Sequence, residues 1–273
     1  MSKTSFISIA SVETTRMLYL SESCKDVLGF PGQQWVGKSA NHWFHPDDRG
    51  GLAVIIRTCA ELQKIATLIY TRVLSADGYV LMEATFNYCY DIIVSSNRLL
   101  KEADYPALFD RTCLAEDIIT ILNTQDIHVL GNPNIFCSAR ELTQALSLSG
   151  SLPPDSPLEQ RVCIVVNHNR ENYPIDYCSK LATEILGSSP EDLVSTSLFE
   201  YIQYGNLTEV REELKDIVEE QSVGNQIEFT WVSKTFQQVE LEAIISHTDD
   251  GLIFIARILN HNDFYLPILE AFQ

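Results

Sequence analysis

The sequence is short of positive charge. Among 273 residues, 19 Lys and Arg stand against 37 Asp and Glu, a formal net charge of −18. Broad binding to nucleic-acid phosphates or anionic lipid needs clustered bases, so this balance excludes an extended basic surface. Paired cysteines are missing too. Cys24, Cys59, Cys89, Cys113, Cys137, Cys163 and Cys178 are odd in number and widely spaced, with no C-x-x-C pair. Such spacing fits neither a disulfide framework nor a zinc ribbon and points to a reducing compartment. No run approaches the ~20 apolar residues of a membrane span, and the N-terminus, MSKTSFISIA, lacks a signal-peptide core. The expected location is cytoplasmic, nuclear or both, with no membrane partner. Also absent are a G-x-S-x-G elbow, a P-loop, H-E-x-x-H and a glycine-rich dinucleotide loop, so an enzyme is not expected. Neither zinc-finger spacing nor a basic helix is present, so direct nucleic-acid binding is not expected.

What is present is ordinary globular material, 45% hydrophobic and 21% charged, long enough for two domains. The charge is uneven. Residues 1–100 carry nine bases and nine acids, residues 101–160 three against nine, and residues 161–273 seven against nineteen. The acidity therefore belongs to the middle and the C-terminal part.

A repeat with a period near 158 residues organises the chain. Leu28, Gly29, Val36 and Ser39 recur as Leu186, Gly187, Val194 and Ser197, and Trp43 matches Tyr201 in aromatic character. Two short β-like runs precede each window: Phe6–Ala10 and Arg16–Leu20, then Val162–Val166 and Tyr173–Tyr177. A helical pattern follows each window, Leu52 to Leu62 and Leu207 to Val218. Three strand-like runs close each unit: Ala66–Leu74, Tyr79–Cys89 and Ile92–Leu100, then Gln226–Ser233, Gln238–Ser246 and Leu252–Leu259. Ser75-Ala-Asp-Gly78 and Asp249-Asp-Gly251 supply hairpin turns. Each unit must bury one face of an antiparallel sheet beneath its helices, which gives an α+β layer pair with room between for side chains or a ligand.

This order of elements resembles the PAS fold. Gly37-Lys-Ser39-Ala-Asn-His-Trp-Phe-His45-Pro46-Asp47-Asp48 is similar to the PAS signature G-x-S…H-P-x-D. Residues 16–30, RMLYLSESCKDVLGF and including Gly29, resemble the second strand and first helix of PAS domains in fungal white collar and animal bHLH-PAS regulators. The match covers residues 5–100. A second, over 161–260, rests on YCSKLATEILGSSPEDL and on element order, with Gln203-Tyr-Gly-Asn206 in place of the histidine-proline string. The resemblance implies two five-stranded antiparallel sheets with short helices on one face. It implies a signalling role exerted through another PAS protein or a second copy of the chain, in signal-dependent transcription control. The alternative it carries is a pocket that senses flavin, haem or a metabolite.

No cofactor is expected. Light-sensing flavin PAS domains carry G-x-N-C-R-F-L-Q, and aligning its glycine with Gly37 puts Ala40 at the adduct-forming cysteine, with Leu198 there in the second unit. Haem needs an axial ligand, for which His42 and His45 are the candidates, with Trp43 beside them. The local chemistry of His45-Pro46-Asp47-Asp48 reads more simply as a helix stop at Pro46 and a cap from Asp47 or Asp48. Ser189-Pro-Glu-Asp192 reads as another helix start.

Residues 101–160 form a connector, and residues 261–273 a tail. Leu114, Ile118, Ile121 and Leu122 fall at helical spacing, and Ser138-Ala-Arg-Glu141 is a capping box opening a helix with Leu142 and Leu146 on one face. Residues 147–157, SLSGSLPPDSP, read as flexible linker. The connector is therefore expected to be partly helical. These apolar stripes are expected to pack on the first unit's sheet or, alternatively, to form a dimer contact, which makes Leu114, Ile118, Ile121, Leu142 and Leu146 interface candidates; Trp231 is a further candidate that reads first as core or sheet-face packing.

Overall fold

Alternating apolar residues and glycine turns fold the chain into two units, each with its own core. The computed structural model describes residues 4–61, 66–100, 117–123, 126–129, 136–137 and 159–259. In unit 1, strands β1 (Ser5–Ser11) and β2 (Met17–Leu20) lead into helix α1 (Cys24–Leu28), 3-10 turns at Gly32–Gln34 and Ala40–His42, and helix α2 (Arg49–Glu61). Strands β3 (Ala66–Ser75), β4 (Gly78–Cys89) and β5 (Ile92–Leu99) complete the antiparallel order β2-β1-β5-β4-β3. Three further strands extend this sheet past β3: β6 (Asp117–Asn123), β7 (Asp126–Val129) and β8 (Phe136–Cys137).

Unit 2 begins at Glu159. It contains β9 (Arg161–Val166), β10 (Ile175–Cys178), α3 (Ala182–Ile185), α4 (Pro190–Leu193), a 3-10 turn at Leu198–Glu200, α5 (Leu207–Glu220), β11 (Val223–Val232), β12 (Gln238–Thr248) and β13 (Gly251–Ile258). Its sheet runs β10-β9-β13-β12-β11, all antiparallel.

Local chemistry explains the boundaries. The Ser189 hydroxyl accepts from the Asp192 N–H (3.3 Å) and Pro190 occupies the first turn, which starts α4 as its sequence implies. Gly29 ends α1 with φ +80°, where a Cβ would lie 2.8 Å from that of Ala76. The β3–β4 turn is closed by Ser75, whose hydroxyl donates to the Gly78 carbonyl (2.7 Å). Helix α5 buries Val210, Leu214 and Ile217 and turns its acids outward. The described cysteines Cys24, Cys59, Cys89, Cys163 and Cys178 form no disulfide with one another and are buried, as small core residues are.

The connector corrects one expectation. Residues read as a helix from Cys113 to Asn123 contain β6, which pairs in parallel with β3 through Thr67↔Asp117 and Tyr70↔Thr120. Ile118-Ile-Thr-Ile121 is a β-branched run, stiff at χ1 and better suited to a pleated edge than to a helix. The edge of β3 supplies the main-chain partners that an extended segment needs and a self-bonded helix does not. Helical spacing therefore no longer places Ile118 and Ile121 on one face. Leu114, Leu142, Leu146, the capping box, the flexible linker and the tail lie outside the described residues.

Candidate functional site

From β2 to β3 the 158-residue repeat holds at the level of single contacts, and in β1 and β5 the equivalent pairs are found from the strand register. Isolated bridges Arg16↔Ser39 and Phe44↔Val73 recur as Pro174↔Ser197 and Ile202↔Trp231. Gly37 N–H donates to Met17 C=O (2.8 Å), and Ser195 N–H donates to Ile175 C=O at the same distance. The second loop adopts this conformation with a serine at φ +70° where the first has Gly37 at φ +82°. The described residues of the two units can therefore be compared position by position.

Asp48 is the most constrained group of the signature. It is fully buried, and its carboxylate faces β3 instead of capping α2. It accepts from Thr71 Oγ1 (3.3 Å), Arg72 N–H (3.0 Å), Arg72 Nε (3.2 Å) and Arg72 Nη2 (2.5 Å). The main-chain carbonyl of Asp48 accepts the first helical bond, from Leu52 N–H (3.0 Å). Asp48 thus ties the start of α2 to the third strand, and hydrogen bonding to it raises the pKa of Arg72 further. Asp47 is exposed and lies 3.7 Å from Arg72 Nη2. In unit 2 the tie survives without charge: Asn206 Oδ1 accepts from Thr230 N–H (3.2 Å). The sequence comparison registered Asn206 only as the loss of a motif, and the equivalence shows in the register alone.

The two candidate histidines, His42 and His45, do not line the cavity described below. His42 is exposed. His45 is held by its N–H to the Arg72 carbonyl (2.9 Å), accepts from Asp47 N–H at Nδ1 (3.2 Å) and stacks edge-on against Tyr79 at 4.5 Å. Pro46 is exposed beside it. Ser39 accepts from Asn41 N–H (3.3 Å) and shares a hydrogen bond with Thr15 Oγ1 (3.2 Å).

Trp43, by contrast, is 2% exposed and lines a cavity of about 50 Å³ between the sheet and the short helical turns of unit 1. Met17, Ala40, Phe86 and Ile93 supply apolar wall. Ser8, Ser95 and Asn97 form a buried polar row in it: the two hydroxyls lie 2.6 Å apart, and Asn97 Nδ2 donates to Ser8 Oγ (3.0 Å). The indole N–H of Trp43 is buried without an acceptor. Buried donors are normally paired, so this one marks a place where an acceptor fits.

Unit 2 carries apolar side chains at the same places. The cross-strand pairs Phe6↔Asn97, Ser8↔Ser95 and Ala10↔Ile93 become Val162↔Ala256, Ile164↔Phe254 and Val166↔Leu252. Ala40 becomes Leu198, and all of these unit 2 residues are buried in one apolar cluster. Sequence reasoning missed Ser8, Ser95 and Asn97, because their inward direction shows only in the strand register.

Trp231 is not surface. It is fully buried and stacks on Tyr201 at 4.7 Å with an interplanar angle of 4°. The interface expectation for Trp231 fails because its ring fills the core beneath β11, leaving the core reading in place.

The opposite sheet face holds a second constellation. Glu83 pairs in register with Arg98, and Glu242 with Arg257. Glu83 accepts from the Tyr70 hydroxyl (3.0 Å). Arg257 spans Glu242 and Glu159, each at 2.7 Å, and Arg161 also binds Glu159. Burial opposes the charge on Arg257, but the two carboxylates outweigh it and raise the Arg257 pKa. Among the described residues there is no cluster of three or more His, Cys, Asp or Glu side chains placed to hold a metal, and no helix long and apolar enough to cross a membrane.

With this geometry in place, each unit is a PAS-like α+β domain: β-β, short helices, one longer helix and β-β-β, wound into one five-stranded antiparallel order. No model of a known protein family matches the chain. Among solved structures it is similar to the chromophore-binding domain of Stigmatella aurantiaca phytochrome P1, at 18% identity over 41% of this chain and 35% of that one, TM-score 0.33. A longer PAS-GAF-PHY phytochrome structure from the same organism gives 19% identity over 41% of this chain and 21% of that one, TM-score 0.33. The Drosophila melanogaster Cycle PAS-B domain gives 22% identity over 35% of this chain and 99% of that one, TM-score 0.31. The chain thus spans about a third and about a fifth of the phytochrome structures it matches. The fold assignment rests on strand order and register.

Proposed function

We propose that the protein is a non-enzymatic PAS-type regulatory module that works by binding another PAS protein or a second copy of itself, in signal-dependent transcription control. The observation that carries this reading is the pairing of two PAS-like units, one with apolar side chains at the positions that line the other's cavity of only about 50 Å³. Drug-sized ligand pockets run to roughly 300–1,000 Å³, so flavin or haem would have to displace core side chains. Ala40 and Leu198 offer no thiol for a flavin adduct, and His42 faces solvent. Association through apolar burial with a polar rim is what remains for such a module.

Native mass spectrometry of the intact chain tests this. A dimer, or a stoichiometric complex with a second PAS-type protein, is expected without added ligand mass. A monomer that carries a bound molecule and captures no partner overturns the reading.

One observation favours a second reading, in which unit 1 senses a small molecule. Trp43, whose buried N–H has no acceptor, lines a cavity that is also lined by Ser8, Ser95 and Asn97. Such a ligand is compact, apolar over most of its surface and bears one acceptor. A retained small mass that disappears in Trp43→Phe supports this alternative.

A further inference from the structure

The two units treat the same sheet edge differently. In unit 1 the outer edge of β3 is occupied, with Thr67 to Tyr70 paired in parallel to Asp117 to Thr120. The repeat maps this stretch onto Asn225 to Glu228 of β11. There, β11 bonds to β12 along one side. On its other side, among the described residues, only its C-terminal end is engaged. Thr230 donates to Asn206 Oδ1 (3.2 Å), its carbonyl accepts from Gln203 N–H (2.9 Å), and Val232 N–H donates to the Tyr201 carbonyl (2.7 Å). These bonds fix the alternation. Even-numbered residues of β11 turn their peptide groups away from β12, so Gln226 and Glu228 present N–H and C=O outward.

The side chains at this edge differ in kind as well. Leu68 and Tyr70 are buried in unit 1, whereas their counterparts Gln226 and Glu228 are exposed. Helix α5, which packs beside β11, carries six exposed acids between Glu209 and Glu220 against Arg211 and Lys215. The edge therefore offers two peptide groups in a strongly acidic setting.

We infer that the outer edge of β11 accepts an added parallel strand from a basic, extended segment of a partner protein. The main-chain bonds supply the register, as β6 does on β3, and lysine or arginine side chains meet Glu228 and the acids of α5. The inference rests on the interaction-module reading and adds to it a place and a mode of binding.

The experiment uses the intact 15N-labelled chain and the synthetic peptide Ac-KTIKVTK-amide. Amide exchange at Gln226 and Glu228 is expected to slow by about tenfold at saturating peptide, and added salt should weaken the binding. Glu228→Pro removes one outward N–H and no β11–β12 bond, so it should weaken the peptide by about tenfold with the fold intact. Glu228→Lys keeps that N–H and should lower affinity for this peptide while raising it for Ac-ETIEVTE-amide. Unprotected Gln226 and Glu228 amides at millimolar peptide overturn strand addition. If native mass spectrometry still shows a dimer or complex in that case, the interaction-module reading stands without it; if both fail, both are wrong.

Discussion

Replacing Asp48 with alanine separates a charged tie from a neutral one inside a single chain. The substitution removes a fully buried carboxylate with four bonds to Thr71 and Arg72. Breaking a buried ion pair costs ~3–5 kcal/mol. The Arg72 side chain is 31% exposed, so water recovers part of that loss, and about 3 kcal/mol is expected. Asp48→Asn keeps an acceptor for the Arg72 N–H and loses the charge, for about 1–2 kcal/mol. Asn206→Ala removes one neutral bond to Thr230 and should cost about 1 kcal/mol. Urea unfolding followed by tryptophan fluorescence reads these values. The chain has three tryptophans, so Trp35 and Trp43 report unit 1 alone in a Trp231→Phe background, and Trp231 reports unit 2 alone when Trp35 and Trp43 are replaced by Phe. Asp48→Ala should then lower the midpoint by roughly 1–2 M. An Asp48→Ala cost no larger than that of Asn206→Ala, each measured in its own unit, refutes the reading of Asp48 as a charged anchor.

Other outcomes follow from the same geometry. Trp231→Ala should cost about 3–5 kcal/mol in unit 2, since it empties the stack on Tyr201; an effect on partner binding with stability unchanged would restore Trp231 to the surface. Gly29→Ala should destabilise more than Gly187→Ala, because the added methyl meets the fixed Ala76 Cβ in one case and the mobile end of Gln237 in the other. Equal melting shifts would contradict this. Burial lowers the His168 pKa against the opposing pull of Asp249 and Asp250, with the His247 ring 4.9 Å away. Below pH ~6.5 the unfolded chain then binds more protons than the folded one, so stability present above that pH is lost as pH falls. His168→Gln should flatten the unfolding midpoint against pH in that range, and an unchanged slope would assign the dependence elsewhere.

Much of the architecture was legible because strands, hairpin turns and the long helices rest on short-range rules. The β3–β4 turn follows from Ser75, Asp77 and Gly78, and α5 from apolar spacing with acids between. The connector was not legible, because Leu114, Ile118 and Ile121 satisfy helical spacing while the edge that recruits β6 lies fifty residues away along the chain. The role of Asp48 was half legible. Its position before a helix suggested a cap, but the carboxylate turns to Arg72, a choice made by a strand twenty-four residues downstream. The cavity row Ser8, Ser95 and Asn97 shows as unusual only when set against Ile164, Phe254 and Ala256, which requires knowing the register.

The parallel pairing of β3 with β6 also sets a timetable for synthesis. Tyr70 leaves the ribosome fifty residues before Thr120, the residue that covers its edge. At about 5–20 residues per second that interval is roughly 2.5–10 s, far longer than the microseconds in which a hairpin such as β3–β4 forms. During those seconds the nascent sheet exposes an unpaired edge carrying Leu68 and Tyr70. Substitutions that slow the arrival of β6 should therefore reduce the yield of folded protein before they change its stability.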